Sequence, residues 1–351
     1  MNVGSELKKL GLKAAYNYLD RDPETNMPKL MEWVDKFVKE DVLTLQREVF
    51  RKIIAEKNSN WYQLLASLWQ DIDGDVRKTL FENLVINANA LAALQARESE
   101  EKYHCNIPWA VAFDLGETEE GASLSFDQLD NIMEQAKELG TFMFLLTGRE
   151  PLERKEEVIA LCNKHTDCQF MAFTDGLAID EDFADQALRV KNFIGAIHVT
   201  GRTEDLRLDS IFALLKAKKL PYGVYCTYDK SDAEDFAQES FFDDIISRGA
   251  KFCWFFSSLK REEDRVYALT KMYRESKPLL TINFCKDTVM TGGCIAGRYY
   301  CSLSADGRIK PCSFLSCPGV DLKEQSLLSA YQADCFMEYY KRKPTCRGVF
   351  E

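Results

Sequence analysis

The 351-residue chain predicts an α/β fold: a full or partial βα barrel, preceded by a helical segment and followed by a small cysteine-rich hairpin. Three observations carry that expectation. From residue 106 onward, apolar runs bounded by turns alternate with helical stretches six or more times, the rhythm of parallel strands joined by crossover helices. Residues 1–103 instead carry a 3.6-residue apolar period almost throughout. Seven of the twelve cysteines lie in the last fifth of the chain, more than core packing alone accounts for. The expected divisions are residues 1–103, 104–285 and 286–351.

In the first division, Met31, Trp33, Val34, Phe37 and Val38 form one helical stripe, and Trp61, Leu64, Leu65 and Leu68 form another. Asp22-Pro23 and residues 71–74 break the helices. Both stripes read as core and the charge runs as solvated faces.

In the second division, residues 108–115 read as a strand. Ser125 and Gln128 make a capping box for a helix that ends at Gly140. Further strands are expected at 141–147, 168–174, 193–199, 222–228, 252–256 and 279–284, with helices between them. These strands are near-continuous apolar runs, as parallel strands covered on both faces should be. The working face of such a sheet is at the strand C-termini. In the third division, residues 298–304 and 308–311 flank Asp306-Gly307, a dipeptide suited to a tight hairpin turn.

A net charge of −11 argues against nucleic acid or an anionic membrane as partner, since both attract basic surfaces. No run of about 18 apolar residues occurs, and residues 1–10 have no apolar signal core. A cytoplasmic protein is expected. Its cysteines are then thiols or metal ligands rather than disulfides. Cys105, Cys162, Cys168, Cys226 and Cys253 sit in apolar segments and read as core, as do Cys285 and Cys335. Cys294, Cys301, Cys312 and Cys317 gather around the hairpin. His104, His165 and His198 are too dispersed for their spacing to suggest a ligand cluster.

Together, residues 106–115, 124–152, 170–193, 292–297 and 306–312 resemble radical S-adenosylmethionine (radical SAM) proteins with a C-terminal SPASM or twitch-type cluster domain. The likeness runs from about residue 100 to 351, which implies a partial (β/α)6-type barrel. In that family the loop after the first strand carries CxxxCxxC, because an iron–sulfur cluster is held by thiolates. Here that loop, 114–124, contains neither Cys nor His and is short. Cys105 precedes the strand and does not replace it. The family's GGEP motif is Gly148-Arg149-Glu150-Pro151 here, with a long cation where backbone should approach a ligand closely. The segment after the fourth strand, 201–207, is also short. Gly148 and Glu150 are what is left of the cofactor pocket. Glu150 has a competing reading as a helix cap, and Asp175 as a turn residue.

The resemblance implies that Cys294 and Cys312 match ligands of an auxiliary cluster and that Cys346 stands where another is expected. Cys301 and Cys317 are candidates for the fourth position, so four of these five would hold one [4Fe–4S] cluster; zinc and no metal are the alternatives. The expected protein is a degenerate relative, not an enzyme. It would be unable to cleave S-adenosylmethionine, which is not expected as its cofactor, and would act as partner or scaffold for an intact radical SAM enzyme or a peptide. The alternative is an enzyme of this type with changed chemistry around Arg149, Glu150, Glu117, Glu119 and Glu120, or with an unusually held cluster.

Overall fold

The computed structural model describes residues 3–37, 44–201, 206–257, 259–260, 263–289, 291–340 and 342. Cys346 and residues 202–205 lie outside them. Helices α1 (Val3–Arg21), α2 (Pro23–Asn26), α3 (Leu30–Phe37), α4 (Thr44–Ala55), α5 (Asn60–Asp71) and α6 (Gly74–Leu80) lead into a π-helix, Phe81–Leu91, and α7 (Ala92–Tyr103). Strands and helices then alternate: β1 (Ala110–Asp114), α8 (Phe126–Leu139), β2 (Met143–Thr147), a 3-10 turn Pro151–Arg154, α9 (Lys155–Lys164), β3 (Gln169–Thr174), α10 (Glu181–Val190), β4 (Phe193–His198) and α11 (Leu206–Ala217). The alternation continues through β5 (Tyr222–Tyr228), α12 (Ala233–Phe236), α13 (Glu239–Ser247), β6 (Phe252–Ser257), α14 (Arg265–Ser276) and β7 (Leu280–Asn283). The chain closes with β8 (Tyr300–Leu303), β9 (Arg308–Lys310), β10 (Val320–Asp321), α15 (Leu327–Tyr331) and α16 (Asp334–Met337).

All ten strands form one sheet in the order β10-β9-β8-β1-β2-β3-β4-β5-β6-β7. Strands β1 to β7 pair in parallel with their sequence neighbours, as the apolar runs predict. The capping box is present: Gln128 N donates to Ser125 Oγ (3.3 Å) and Ser125 N to Gln128 Oε1 (2.9 Å). Gly140 ends α8 at φ 111°, where an added Cβ would stand 2.8 Å from Ala96 N of α7. Only glycine allows that approach.

Two features join segments far apart in the sequence. The hairpin forms, with Ser302 opposite Lys310 in an antiparallel pair, but it is not set apart from the barrel. β8 pairs in parallel with β1, Ala110 opposite Tyr300 through Phe113 opposite Leu303. A parallel pairing across almost 200 residues leaves no local signal. The sheet curls until Phe284, just past β7, meets Tyr300 of β8 with ring centroids 5.2 Å apart; aromatic packing bridges that seam.

The second feature is the floor. Leu80, Leu84 and Trp109 pack against the inward-facing residues of the strands. Asn83 Nδ2 donates to the carbonyls of Thr166 (3.0 Å) and Cys168 (2.8 Å), and Asn87 Nδ2 to Asp167 O (2.9 Å). Trp109 Nε1 donates to Ala88 O (3.0 Å). The π-helix thus covers the N-terminal end of the barrel and leaves the C-terminal mouth as its open end.

Candidate functional site

Alternate residues of each strand face inward, and near the mouth they line a cavity of about 320 Å³, a size within the range of small-ligand sites. Phe173, Trp254, Phe256, Phe284 and Tyr300 supply apolar walls; Asp114, Ser302, Arg308 and Lys310 supply polar ones. The rings interlock: Phe173 and Trp254 centroids are 5.4 Å apart, Trp254 and Phe284 6.0 Å. These residues were not singled out from the sequence. In a run such as FCWFFS both faces of the strand are apolar, and only the two-residue period separates the inward Phe252, Trp254 and Phe256 from the outward Cys253 and Phe255.

The β1 loop borders this cavity. Asp114 Oδ1 turns back to accept from Gly116 N (2.9 Å), and a short turn follows in which Gly121 N donates to Thr118 O (2.9 Å). Gly148 lies against it at φ 116°. A Cβ on Gly148 would fall 2.4 Å from Asp114 Oδ1 and 2.9 Å from Gly116 N. The loops after β1 and β2 are therefore packed backbone to backbone. Arg149, Glu117, Glu119 and Glu120 are exposed and do not line the cavity.

Glu150 is occupied within its own chain. Oε1 accepts from Thr174 Oγ1 (2.6 Å) and Leu152 N (2.9 Å), and Oε2 from Asp175 N (2.8 Å). The carboxylate caps the 3-10 turn and ties it to the end of β3. Burial pushes its pKa above the usual 4.5 despite these donors. Asp175 is exposed, and its Oδ1 accepts from Leu177 N (2.8 Å), which is turn chemistry. His198 ends β4 with Nε2 3.3 Å from Thr227 Oγ1 and its ring on Tyr225. Burial holds its pKa below 6.5, opposed by Asp175; burial, with Glu150 and Asp175, lifts Tyr225 to about 12.

The hairpin cysteines divide between two faces. Cys294 and Cys312 are buried in the inner core, together with Tyr300 and Tyr339. Cys301, between Tyr300 and Ser302 on β8, points the other way: it belongs to the outer core, 3.7 Å from Tyr331 OH, and burial raises its pKa to about 12. Cys317 is half-buried and its thiol contributes to the raised pKa of Cys335. Cys346 lies outside the described residues. Cys301 thus lies in a different core cluster from Cys294 and Cys312, which share theirs. Of the cysteines read as core, Cys105, Cys162, Cys168, Cys226 and Cys253 are fully buried and Cys285 nearly so, whereas Cys335 is only half-buried.

No protein family's sequence profile and no curated protein matches the chain. Among solved structures, Streptococcus suis SuiB superposes with a TM-score of 0.56 at 12% identity, covering 71% of this chain and 72% of SuiB. SuiB bound to the precursor peptide SuiA gives 0.55 at 13% identity, covering 70% of each chain. SuiB bound to S-adenosylmethionine gives 0.56 at 12%, covering 70% and 69%. At such identity the likeness establishes the fold alone: a radical SAM-like α/β architecture, its mostly parallel sheet extended by C-terminal antiparallel strands.

Proposed function

We propose that this chain is a degenerate radical SAM-like protein that does not cleave S-adenosylmethionine and serves as a cytoplasmic partner or scaffold for another enzyme or a peptide. The observation that carries the proposal is the mouth of the barrel. Where the resembled family holds three thiolates, the loop after β1 is folded back on Asp114 and packed on Gly148. The cavity beside it is lined by neither Cys nor His. Without thiolates there is no anionic sulfur to hold a cluster at that place. Glu150, the retained acidic residue of the motif, has its lone pairs engaged by Thr174, Leu152 and Asp175. The SuiB structure with its precursor peptide supports a peptide as the kind of molecule received.

An auxiliary [4Fe–4S] cluster remains part of this reading. Cys294 and Cys312 are its first two ligands, and with Cys301 turned away the set is completed by Cys317 and Cys346. When bound, such a cluster supplies an electron-transfer or structural centre. A second reading, an enzyme with changed chemistry, moves from Arg149 and Glu150 to the aromatic cavity, whose Asp114, Arg308 and Lys310 stand in its wall.

Anaerobic reconstitution with iron and sulfide tests the first reading. About four irons per chain are expected, lost in the Cys294→Ala/Cys312→Ala double variant and retained in Cys301→Ala. No iron in the wild type removes the cluster from the proposal. Formation of 5′-deoxyadenosine from S-adenosylmethionine under strong reductant removes the pseudoenzyme reading, and micromolar binding of that molecule by calorimetry shows the pocket to be intact.

A further inference from the structure

On the outer side of the barrel, away from the mouth, His165 follows α9 with its side chain fully buried. Its Nε2 lies 3.1 Å from Asp130 Oδ1 and its Nδ1 3.3 Å from Glu134 Oε1. Asp130 and Glu134 stand one turn apart on the same face of α8. The two ring nitrogens are not equivalent. Nε2 is in hydrogen-bonding geometry with Asp130, whereas Nδ1 is buried and makes no hydrogen bond. A neutral imidazole carries one ring proton. With that proton donated to Asp130, the Nδ1 lone pair faces a carboxylate oxygen. Two electron pairs held that close repel unless a cation lies between them.

The spacing suits a metal better than a proton. At 3.3 Å the pair is longer than an ordinary charge-assisted N–H···O contact of about 2.7–2.9 Å. Two ligands each about 2.1 Å from a tetrahedral ion lie about 3.4 Å apart. A ligating histidine ordinarily gives its other N–H to a carboxylate, which sets the tautomer; Asp130 stands in that position. Ligand atoms of Asp130, Glu134 and His165 all lie within 4.8 Å of one another. Lys164 holds the other oxygen of Asp130 (2.8 Å). Lys137 is 3.4 Å from Glu134 Oε1 but closer to Asp167, at 3.0 Å. The Glu134 side chain is half exposed, so an ion reaches the pair from solvent and water completes its shell.

We propose that Glu134 and His165, with Asp130 orienting the ring, form a site for a divalent first-row transition ion of the zinc class. Its donors come from the end of α9 and the middle of α8, so an ion there joins two neighbouring helices of the outer layer. The site is independent of the hairpin thiols.

The test is a calorimetric titration of the full chain with Zn2+, repeated in the Cys294→Ala/Cys312→Ala background. One equivalent is expected to persist in that background. Glu134→Gln, on an exposed helix face, should weaken it by at least about 100-fold, and Asp130→Asn by the roughly 10- to 100-fold typical of an outer-shell partner. His165→Gln should abolish it with helix content unchanged by circular dichroism. Co2+ at this site should show visible bands without thiolate charge transfer. A Zn2+ titration unchanged by Glu134→Gln, or a Co2+ spectrum dominated by thiolate charge transfer, overturns the proposal. The first result would mean that a proton closes the gap between His165 and Glu134.

Discussion

Replacing Glu150 by alanine separates a structural carboxylate from a ligand-binding one, because the two roles predict opposite measurements. The side chain accepts three hydrogen bonds, from Thr174 Oγ1, Leu152 N and Asp175 N. Asp175 is exposed, so water takes over that donor. Leu152 and Thr174 are buried, and each donor left without an acceptor costs about 1–3 kcal/mol. Relief of a desolvated carboxylate offsets part of this, leaving about 2–4 kcal/mol of destabilisation. Glu150→Gln should cost about 1 kcal/mol, since its amide can turn its NH2 toward the exposed side. Urea unfolding measures both, and faster amide exchange at Leu152 localises the effect. The pH dependence has a definite sign. Burial raises the folded-state pKa above 4.5, so the folded state holds this proton more tightly than the unfolded chain. The group's contribution is fully present below pH 4.5 and is lost as pH rises through the raised value; Glu150→Gln lacks that decline. A Glu150→Ala variant within about 0.5 kcal/mol of wild type would refute the structural role.

Gly148→Ala should destabilise by about 2–4 kcal/mol, from left-handed backbone strain and overpacking against Asp114. Gly11→Ala, in α1 with nothing within 4 Å, should instead be neutral or stabilising in the same thermal melts. Lys286 and Asp264 form an ion pair with both side chains fully buried, and Tyr228 OH also donates to Asp264 (2.7 Å). Lys286→Met alone should cost about 3–5 kcal/mol by denaturant unfolding, and adding Asp264→Leu should recover much of it. A double variant no more stable than the single one would contradict this. His198 titrates below 6.5 in the folded state, so the unfolded chain binds its proton first as pH falls. Its contribution is present above pH 6.5 and lost below it; His198→Gln should flatten stability over that interval.

What could be read in advance was local. The capping box of Ser125 and Gln128, the Asp306-Gly307 turn and the apolar runs of β1 to β7 depend on residues a few positions apart, and each appears as expected. The distance-dependent features were invisible. The β8–β1 pairing joins segments with no shared pattern. The floor of the barrel depends on Asn83 and Asn87 reaching carbonyls some 80 residues away. Cys301 was grouped with Cys294 and Cys312 by proximity in sequence. Strand alternation between Tyr300 and Ser302 could have separated it, had β8 been recognised as part of the barrel sheet. The donors that Glu150 meets at Thr174 and Asp175 were likewise invisible within its own four-residue motif.

By itself the sequence determined the strand–helix alternation from β1 to β7, the absence of thiolates after β1 and the concentration of cysteines near the end, because composition and short-range periodicity are written in order along the chain. Only the tertiary structure decided which side of the sheet Cys294, Cys301 and Cys312 face, what closes the seam between β7 and β8, and that His165 lies between two carboxylates of α8. Those outcomes depend on packing between segments far apart in sequence, where a side chain's partner is chosen by the curvature of the sheet and the seating of its helices.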